Sequence, residues 1–335
     1  MWGYIVRRLA LASLAIAGVL IIVFFLSHII PGDPVAAILG PQAPNEVIED
    51  LRHRYGLDRP LHEQFFRFVA RLARGDLGDS LATHRPVVRD LLEFLPATIE
   101  LATAAILIGV IAGMGVGIVS AVARGRPLDH AVRFFSLIGL SMPVFWLGLI
   151  LLYIFYFRLA LVLGPGQLDI FLTRPPTVTG LLTVDAILAR DFAALWNALG
   201  HLLLPAVVLG SHALVGIARI TRASMLEVLG QDYVKVARAK GLAERTVVLK
   251  HALRNGLLPI ITVIGIYYGG LLEGAVLTET VFAWPGLGRY ATSAILSQDF
   301  AAIMGVTILI ALIFSLANLA VDLAYGFLNP KIRYE

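Results

Sequence analysis

The sequence predicts an all-α integral membrane protein with six transmembrane helices. Hydrophobic residues make up 58% of the 335 positions, charged residues only 15%, and the mean hydropathy is +0.83, which is far outside the range of soluble domains. The apolar residues run continuously over about 20 positions, the length of a helix that crosses the hydrocarbon. Because a spanning structure must close all its backbone hydrogen bonds internally, only helices or a sealed barrel are possible. The runs are continuous and not alternating, which favours helices.

Six apolar segments are long enough to cross a bilayer. The first follows Arg7 and Arg8 and has no convincing small-residue cleavage site after it, so it is interpreted as an uncleaved anchor and not as a signal peptide. The six segments are residues 9–30, 97–121, 134–157, 201–221, 257–279 and 302–326.

Three features inside these segments have structural interpretations. Gly109, Gly113 and Gly117 follow a small-xxx-small pattern that lets two helix backbones approach closely, and the partner helix could belong to this chain or to a second subunit. Pro143 in "SMPVFW" is expected to kink the third segment. Asp322, close to the end of the sixth segment, is interpreted as a structural residue that snorkels or pairs with an arginine.

The distribution of Lys and Arg predicts the orientation. The N-terminus, the 122–133 loop, the 219–256 segment and the C-terminal tail together hold 15 of the 27 basic residues and only five acidic ones. The positive-inside rule places this side in the cytoplasm, with both termini inside. The five acidic residues are Asp129, Glu227, Asp232, Glu244 and Glu335.

Two large stretches fall on the opposite, extracytoplasmic side. Residues 31–95 form the first, where apolar positions at helical spacing predict an amphipathic helix that packs on the outer face or lies in the membrane interface. The second, residues 158–200, contains "GPGQ" and "RPPTVTG" and is expected to be mostly loop, with a short helix near Asp185 to Trp196. The apolar positions of the first helix are Leu61, Phe65, Phe68 or Val69, and Leu72.

The cytoplasmic segment 222–257 predicts a protrusion made of two helices. "SMLEVLGQDYVKVARAKG" continues from the fourth segment, Gly241 interrupts it, and "LAERTVVLKHALRN" is expected to start a second, short amphipathic helix. The pair is too polar to enter lipid, so it needs a protein partner or water. Attraction of the basic residues to anionic lipid is the alternative explanation, and the two effects are compatible.

Motifs along the whole chain resemble those of a known family. "ARAKGL", "HALRN" and "LLP" resemble the cytoplasmic EAA loop of permease subunits of binding-protein-dependent ABC importers, in the dipeptide and oligopeptide branch. Lys235, Val236 and Ala237 stand where the general motif has Glu-Ala-Ala, and Gly241 matches its glycine. Further motifs are in the order expected of the first permease subunit: "IIPGDPV", "YGLDRPLHEQF", "RGDLGDSL", "SMPVFW", "HLLLPAVVLG", "LTETVFAWPGLGRY" and "VDLAYGFLNPKIR".

The resemblance implies the type I importer permease fold and a helix that couples the membrane spans to a cytoplasmic ATPase. The coupling helix would be the short helix after Gly241, with Gly241 as its turn. The residues expected at the ATPase contact are the glycine itself, small or apolar positions and basic positions: Ala237, Ala239, Gly241, Leu242, Arg245, Val248, Lys250 and Arg254.

Other residues are candidates for the translocation pathway and its outer gate. Met142, Phe145 and Trp146 could line the pathway. Glu273 could face the pore and favour a cationic group such as a peptide amino terminus, or pair inside the helix bundle. Residues 279–290 read as an extracytoplasmic turn or gate, in which Glu279 and Trp284 could contact the binding protein.

The implied partners are a homologous second permease, two ATPases that carry ATP and magnesium, a periplasmic binding protein, membrane lipid and a peptide. The chain itself is expected to bind no cofactor, metal or nucleic acid, since it lacks cysteine, a Gly-Lys phosphate loop and a histidine pair at ligand spacing. Nickel, glutathione or another small solute is the alternative cargo. The sequence shows no inverted repeat, which an ion-coupled transporter would be expected to have. It also shows no nucleophile or metal cluster within the spans, which an intramembrane enzyme would need.

Overall fold

The computed structural model describes residues 2–29, 44, 49, 53 and 58–328. Within them the chain is helical, with one isolated antiparallel bridge between Asp79 and Pro86. Two π-helical stretches, Leu152–Arg158 (π1) and Val247–Ala252 (π2), each directly follow an α-helix. The α-helices are α1 Trp2–Ile29, α2 Leu61–Leu72, α3 Val87–Val122, α4 Pro127–Ser141, α5 Val144–Leu151, α6 Leu182–Leu188, α7 Phe192–Leu229, α8 Asp232–Ala239, α9 Glu244–Thr246, α10 Leu253–Gly274, α11 Val276–Val281, α12 Leu287–Leu296 and α13 Phe300–Leu328.

Four helices among the described residues are long and apolar enough to cross a membrane. They are α3, α7, the continuous run Glu244–Leu272 that joins α9 to α10, and Phe300–Leu319 of α13. The pair α4 and α5 with π1 makes a fifth if it counts as one broken span, and α1 contains the shorter apolar stretch Leu9–Phe25. The helical fold and several of the apolar spans are therefore confirmed, whereas six crossings remain a prediction.

The third apolar segment is broken, where the sequence predicted only a kink. The helices on the two sides of Met142 and Pro143 differ in direction by 103°. Both residues have extended backbones, with ψ of 127° at Met142 and 133° at Pro143. The proline ring removes one backbone donor and also disfavours the helical conformation of the residue before it, so the helix ends and restarts.

The fourth span is longer than its apolar stretch. Helix α7 has 38 residues and begins at Phe192, after Asp191 caps it by accepting a hydrogen bond from the Ala194 backbone N–H. At its other end the helix continues through Arg222 to Leu229. The 158–200 stretch therefore consists of loop, the short helix α6 and the first nine residues of α7, and the predicted helix near residues 185–196 is split between α6 and α7.

The described residues form two compact units, Met1–Leu95 with Gly286–Ser315, and Pro96–Pro285 with Leu316–Glu335. In the first unit, α2 lies against α1 through Phe65 and Phe68, whose rings pack on Phe24. Val69 and Leu72 belong to the same cluster, whereas Leu61 is 47% exposed. A second cluster joins the start of α3 to α12 and α13 through Val87, Leu91, Leu287, Tyr290, Ala294, Ala302 and Val306.

Helix α7 is at the centre of the second unit. Its residues Leu202, Leu209 and Ala213 share a buried cluster with Leu101 of α3 and Ile260 of α10. The glycine stripe of α3 packs on α7 of the same chain: a Cβ at Gly113 would lie 2.7 Å from the Leu214 carbonyl oxygen. The stripe thus serves packing inside this chain, which was one of the two interpretations open from sequence. The side chains of Glu273 and Asp322 lie outside the described part, so their roles stay predictions.

Candidate functional site

A helical arm, residues 230–246, joins α7 to the next span. Within it, α8 exposes every residue except Val234 and Ala237. Those two side chains pack against Val247, with Val228 and Leu229 beside them. One face of α8 is therefore held by its own chain, as is the Tyr233 hydroxyl, which accepts a hydrogen bond from the Asn255 amide at 2.9 Å. The rest of the helix surface, which includes Val236 at 52% exposure, is open.

The turn after α8 depends on Gly241. Its φ is +77°, in the left-handed region where a side chain causes strain. The Gly241 backbone N–H donates to the Arg238 carbonyl at 2.9 Å. Across the turn, Arg238 donates to Glu244 from Nη2 at 2.6 Å and from Nε at 3.1 Å. The hydrogen-bonded Glu244 carboxylate raises the pKa of the Arg238 guanidinium above its ordinary value.

The order of helices in the arm corrects the sequence interpretation. The separate short helix is α8, before Gly241, whereas the sequence predicted it after the glycine. After the turn, α9, π2 and α10 form one continuous helix that becomes the next span. The apolar spacing of "LAERTVVLKHALRN" continues into that span without a residue that stops the helix, and Pro259 lies inside α10, so the pattern held no signal for a separate element.

The predicted ATPase-contact residues divide by burial. Val248 is 6% exposed and packs on Ala121, Met225 and Ala252, so it faces its own chain and not a free surface. Ala237 is also buried, at 7%. The remaining predicted residues are all exposed: Ala239, Gly241, Leu242, Arg245, Lys250 and Arg254.

Three charged pairs in or near the arm were missed by sequence reasoning. Two lie within the arm, Asp232 with Lys235 and Arg238 with Glu244, and the third joins Asp129 at the start of α4 to Arg222 of α7. A signal was available, because only five acidic residues accompany the basic side. So few acidic side chains among so many basic ones are expected to be paired.

The predicted pathway and gate residues lie in two different environments. Met142 is at the break between α4 and α5, and Phe145 and Trp146 at the start of α5 are 40% and 47% exposed. Glu279 and Trp284 are 0% and 1% exposed.

The contacts of the two gate residues are internal to the chain. Thr98 donates to Glu279 Oε1 at 2.7 Å, and the Trp284 indole N–H donates to the Ala97 carbonyl at 2.8 Å. The predicted contact of Glu279 and Trp284 with a binding protein is thus not available in this structure, because both side chains are buried and bonded to α3.

The loop between π1 and α7 is held by buried polar contacts. Glu100 of α3 accepts hydrogen bonds from the backbone N–H and the hydroxyl of Thr183 at 2.7 and 2.6 Å. Burial tends to raise the pKa of Asp185, but bonds from the backbone and hydroxyl of Thr179 and from the Gly180 N–H outweigh it, so the pKa lies below its ordinary value. The loop is ordered by these contacts, although its sequence reads only as turn-rich.

The described residues contain no group of three or more His, Cys, Asp or Glu side chains placed to hold a metal ion. The candidate site is therefore a surface: the largely exposed helix α8, which carries Asp232, Lys235 and Arg238, and the Gly241 turn that leads to the next span.

Comparisons with known proteins match the whole chain. The family model described as "Binding-protein-dependent transport system inner membrane component" matches residues 105–334, and its N-terminal counterpart matches residues 1–102. The chain is 46% identical to the "Probable D,D-dipeptide transport system permease protein DdpB" of Escherichia coli K12, covering 99% of this chain and 97% of that protein.

Two further relatives are similar over the full length of both proteins. The "Di/tripeptide transport system permease protein DppB" of Pseudomonas aeruginosa is 43% identical, and the "Glutathione transport system permease protein GsiC" of Escherichia coli is 37% identical. Among solved structures, a chain of the inward-facing MetNI methionine ABC transporter has a TM-score of 0.51 at 19% identity, covering 72% of this chain and 96% of that one. At that identity the likeness shows a shared fold alone.

Proposed function

The chain belongs to the family of inner membrane components of binding-protein-dependent transport systems, and from this we propose that it forms half of the translocation pathway for dipeptides or short oligopeptides. As a member of that family it is a permease of an ABC importer in the bacterial inner membrane and not an enzyme. The observation that supports the proposed cargo is the full-length similarity, at 43%, to a relative named for di- and tripeptide transport.

The proposed topology has six crossings with both termini in the cytoplasm. Residues 1–30 form the tail and first span, 31–95 an extracytoplasmic segment, and 96–335 a five-helix core with its outer loop at 158–200 and its cytoplasmic coupling loop at 222–257. The excess of Lys and Arg on the side of the arm supports this orientation. The chain has no cysteine, so a single cysteine introduced at Lys240 would report the cytoplasmic side and one at Arg174 the extracytoplasmic side. Labelling of Lys240→Cys from outside intact cells would contradict the topology.

The proposed coupling element is α8 with the Gly241 turn. Its open face, together with the exposed Leu242, Arg245, Lys250 and Arg254, would contact a cytoplasmic ATPase. Because α8 is joined to α7 by Gly230 and Gln231 alone, and to the next span by the short Gly241 turn that leads into the continuous helix from Glu244, a push on α8 would reach two spans. Closure of two ATPases would then bias the spans toward an outward-open state, and hydrolysis would reset them.

The remaining proposals concern partners and pathway. A homologous second permease would supply the other half, two ATPases would bind ATP and magnesium, and a periplasmic binding protein would deliver the peptide. Met142, Phe145 and Trp146 are proposed to line the pathway, supported by their position at the break of a span. This chain would itself hold no cofactor.

Glutathione is the second candidate cargo, favoured by the relative named for its transport at 37% identity. The test is uptake into proteoliposomes that contain this permease with its second permease, ATPases and binding protein. We expect ATP-dependent accumulation of a labelled dipeptide, unaffected by a proton ionophore, and competition by unlabelled dipeptides. Accumulation of glutathione but not of dipeptide would show that glutathione is the cargo. Uptake that needs a proton gradient but no ATP would refute the assignment as an ABC importer.

A further inference from the structure

One buried carboxylate collects donors from two spans and the turn between α3 and α4. Asp129 is 1% exposed. It accepts hydrogen bonds from the Ser120 hydroxyl at 2.6 Å, from Arg222 Nε and Nη2 at 2.7 and 2.8 Å, and from the Gly125 backbone N–H at 3.1 Å. Both carboxylate oxygens are therefore bonded, and the arginine approaches through two parallel bonds, the geometry that fixes orientation as well as distance.

The four groups come from different parts of the fold. Ser120 lies in the last turn of α3, Gly125 in the turn that follows, Asp129 at the start of α4, and Arg222 on α7. The position of Arg222 matters most, because α7 runs on for only two more turns before the arm begins at Gly230. The ion pair therefore ties the base of the arm to the ends of α3 and α4.

The same two turns of α7 also contact the span that follows the arm. The Ser224 hydroxyl donates to the Gly256 carbonyl of α10 at 2.8 Å, and Met225 packs with Ala121, Val248 and Ala252. The last turns of α3 and α7 and the first turns of α4 and α10 thus meet in one junction at the base of the arm. An apolar contact could hold these ends together as firmly, since a buried ion pair loses much of its attraction to desolvation. What the bidentate pair adds is a defined direction between α4 and α7.

We propose that Asp129 and Arg222 are positioning residues that make α4 move together with α3 and α7 when the arm is displaced, so that ATPase motion reaches the broken third span as well as the two spans on either side of α8. This inference rests on the proposed function. Without the pair, α7 and α10 would still follow the arm, but α4 could stay behind. ATP would then be hydrolysed without the matching change in the pathway.

The test measures peptide uptake and ATP hydrolysis together in proteoliposomes with the complete importer. We expect Asp129→Asn and Arg222→Gln each to lower the number of peptides moved per ATP by about tenfold, within the usual range of coupling between sites. The double variant should be no worse than either single one, because both remove the same contact. Arg124→Gln, an exposed arginine in the neighbouring turn, is the control and should keep the wild-type ratio.

An unchanged number of peptides moved per ATP in both single variants overturns the proposal, even if uptake and hydrolysis fall together. The proposal is also overturned if the losses of the two single variants multiply in the double variant. Should the charge variants fail to assemble, Ser120→Ala decides, since it removes one bond and keeps the ion pair: a lower ratio supports the proposal and a wild-type ratio overturns it. Failure of the proposed function is separate, because wild-type vesicles would then take up no peptide despite ATP and binding protein.

Discussion

Substitution of a single glycine in the α3 stripe tests how closely α3 and α7 pack. A Cβ at Gly117 would lie 2.6 Å from both the Ala218 carbonyl oxygen and the Thr221 Cβ, where ordinary contact begins at 3.4 Å. Neither neighbour can move by changing a rotamer, since one atom is backbone and the other is bonded to it. Gly117→Ala must therefore separate the two helices locally by about 0.8 Å, and a gap of that size forfeits about a quarter to a half of each dispersion contact.

The expected cost of Gly117→Ala is about 1–3 kcal/mol, the range for overpacking a well-packed core. At Gly113 the nearest atom would be the Leu214 carbonyl at 2.7 Å, so a similar cost is expected. At Gly109 it would be the Ala213 Cβ at 3.1 Å, so the cost should be less than about 1 kcal/mol.

The measurement is the unfolding free energy of the purified permease in detergent, by titration with a denaturing detergent. Gly115 is the matched control on the same helix, because a Cβ there would meet nothing within 4 Å. Gly115→Ala should be neutral or stabilising by up to about 1 kcal/mol, since alanine favours helix. Equal stabilities of the Gly117 and Gly115 variants would refute the close approach of α3 and α7.

Three further outcomes are expected. Proline at position 241 cannot adopt the φ of +77°, so Gly241→Pro should lower uptake and stimulated ATPase activity while membrane insertion stays normal. Gly230→Ala is the control, because φ there is −79°, and it should keep both activities. Equal activities of the two variants would contradict the assignment of the arm as the coupling element. Glu244→Gln removes the charge from the exposed Arg238–Glu244 pair and should lower the free energy of unfolding, measured by thermal denaturation, by less than about 1 kcal/mol. A larger loss would argue that the pair is buried in the complex. Trp284→Phe removes the indole donor to the Ala97 carbonyl and leaves a gap in a buried site, which should cost about 1–3 kcal/mol. Binding-protein affinity measured by titration should stay unchanged, and weaker affinity at unchanged stability would restore the gate interpretation.

Local sequence patterns predicted the parts of the fold that depend only on neighbouring residues. Continuous apolar runs predicted the spans, and the left-handed turn at Gly241 was predicted as a break because glycine interrupts a polar helix there. The same patterns were ambiguous where two structures share one period. The apolar positions from Leu242 to Leu253 fit a separate short helix as well as the extension of the next span, and the structure has the extension.

Burial of the gate residues shows a second limit. Glu279 and Trp284 are in a motif of glycine and proline that predicts an exposed turn, yet both are buried and hydrogen-bonded to residues of α3 just after Pro96. Their partners, Thr98 and Ala97, are more than 180 positions away in the chain. No periodicity or composition within either segment records such a pairing.

The sequence by itself determined that this is a helical membrane protein with a basic, glycine-broken arm, because hydrophobic length, charge bias and backbone freedom are properties of neighbouring residues. Only the tertiary structure decided that the glycine stripe meets α7, that the third span breaks and restarts, and that Asp129 joins Arg222 across 93 positions. These depend on which surfaces meet, and a close contact is set by the shapes and partners of both sides at once, which a single stretch of chain does not contain.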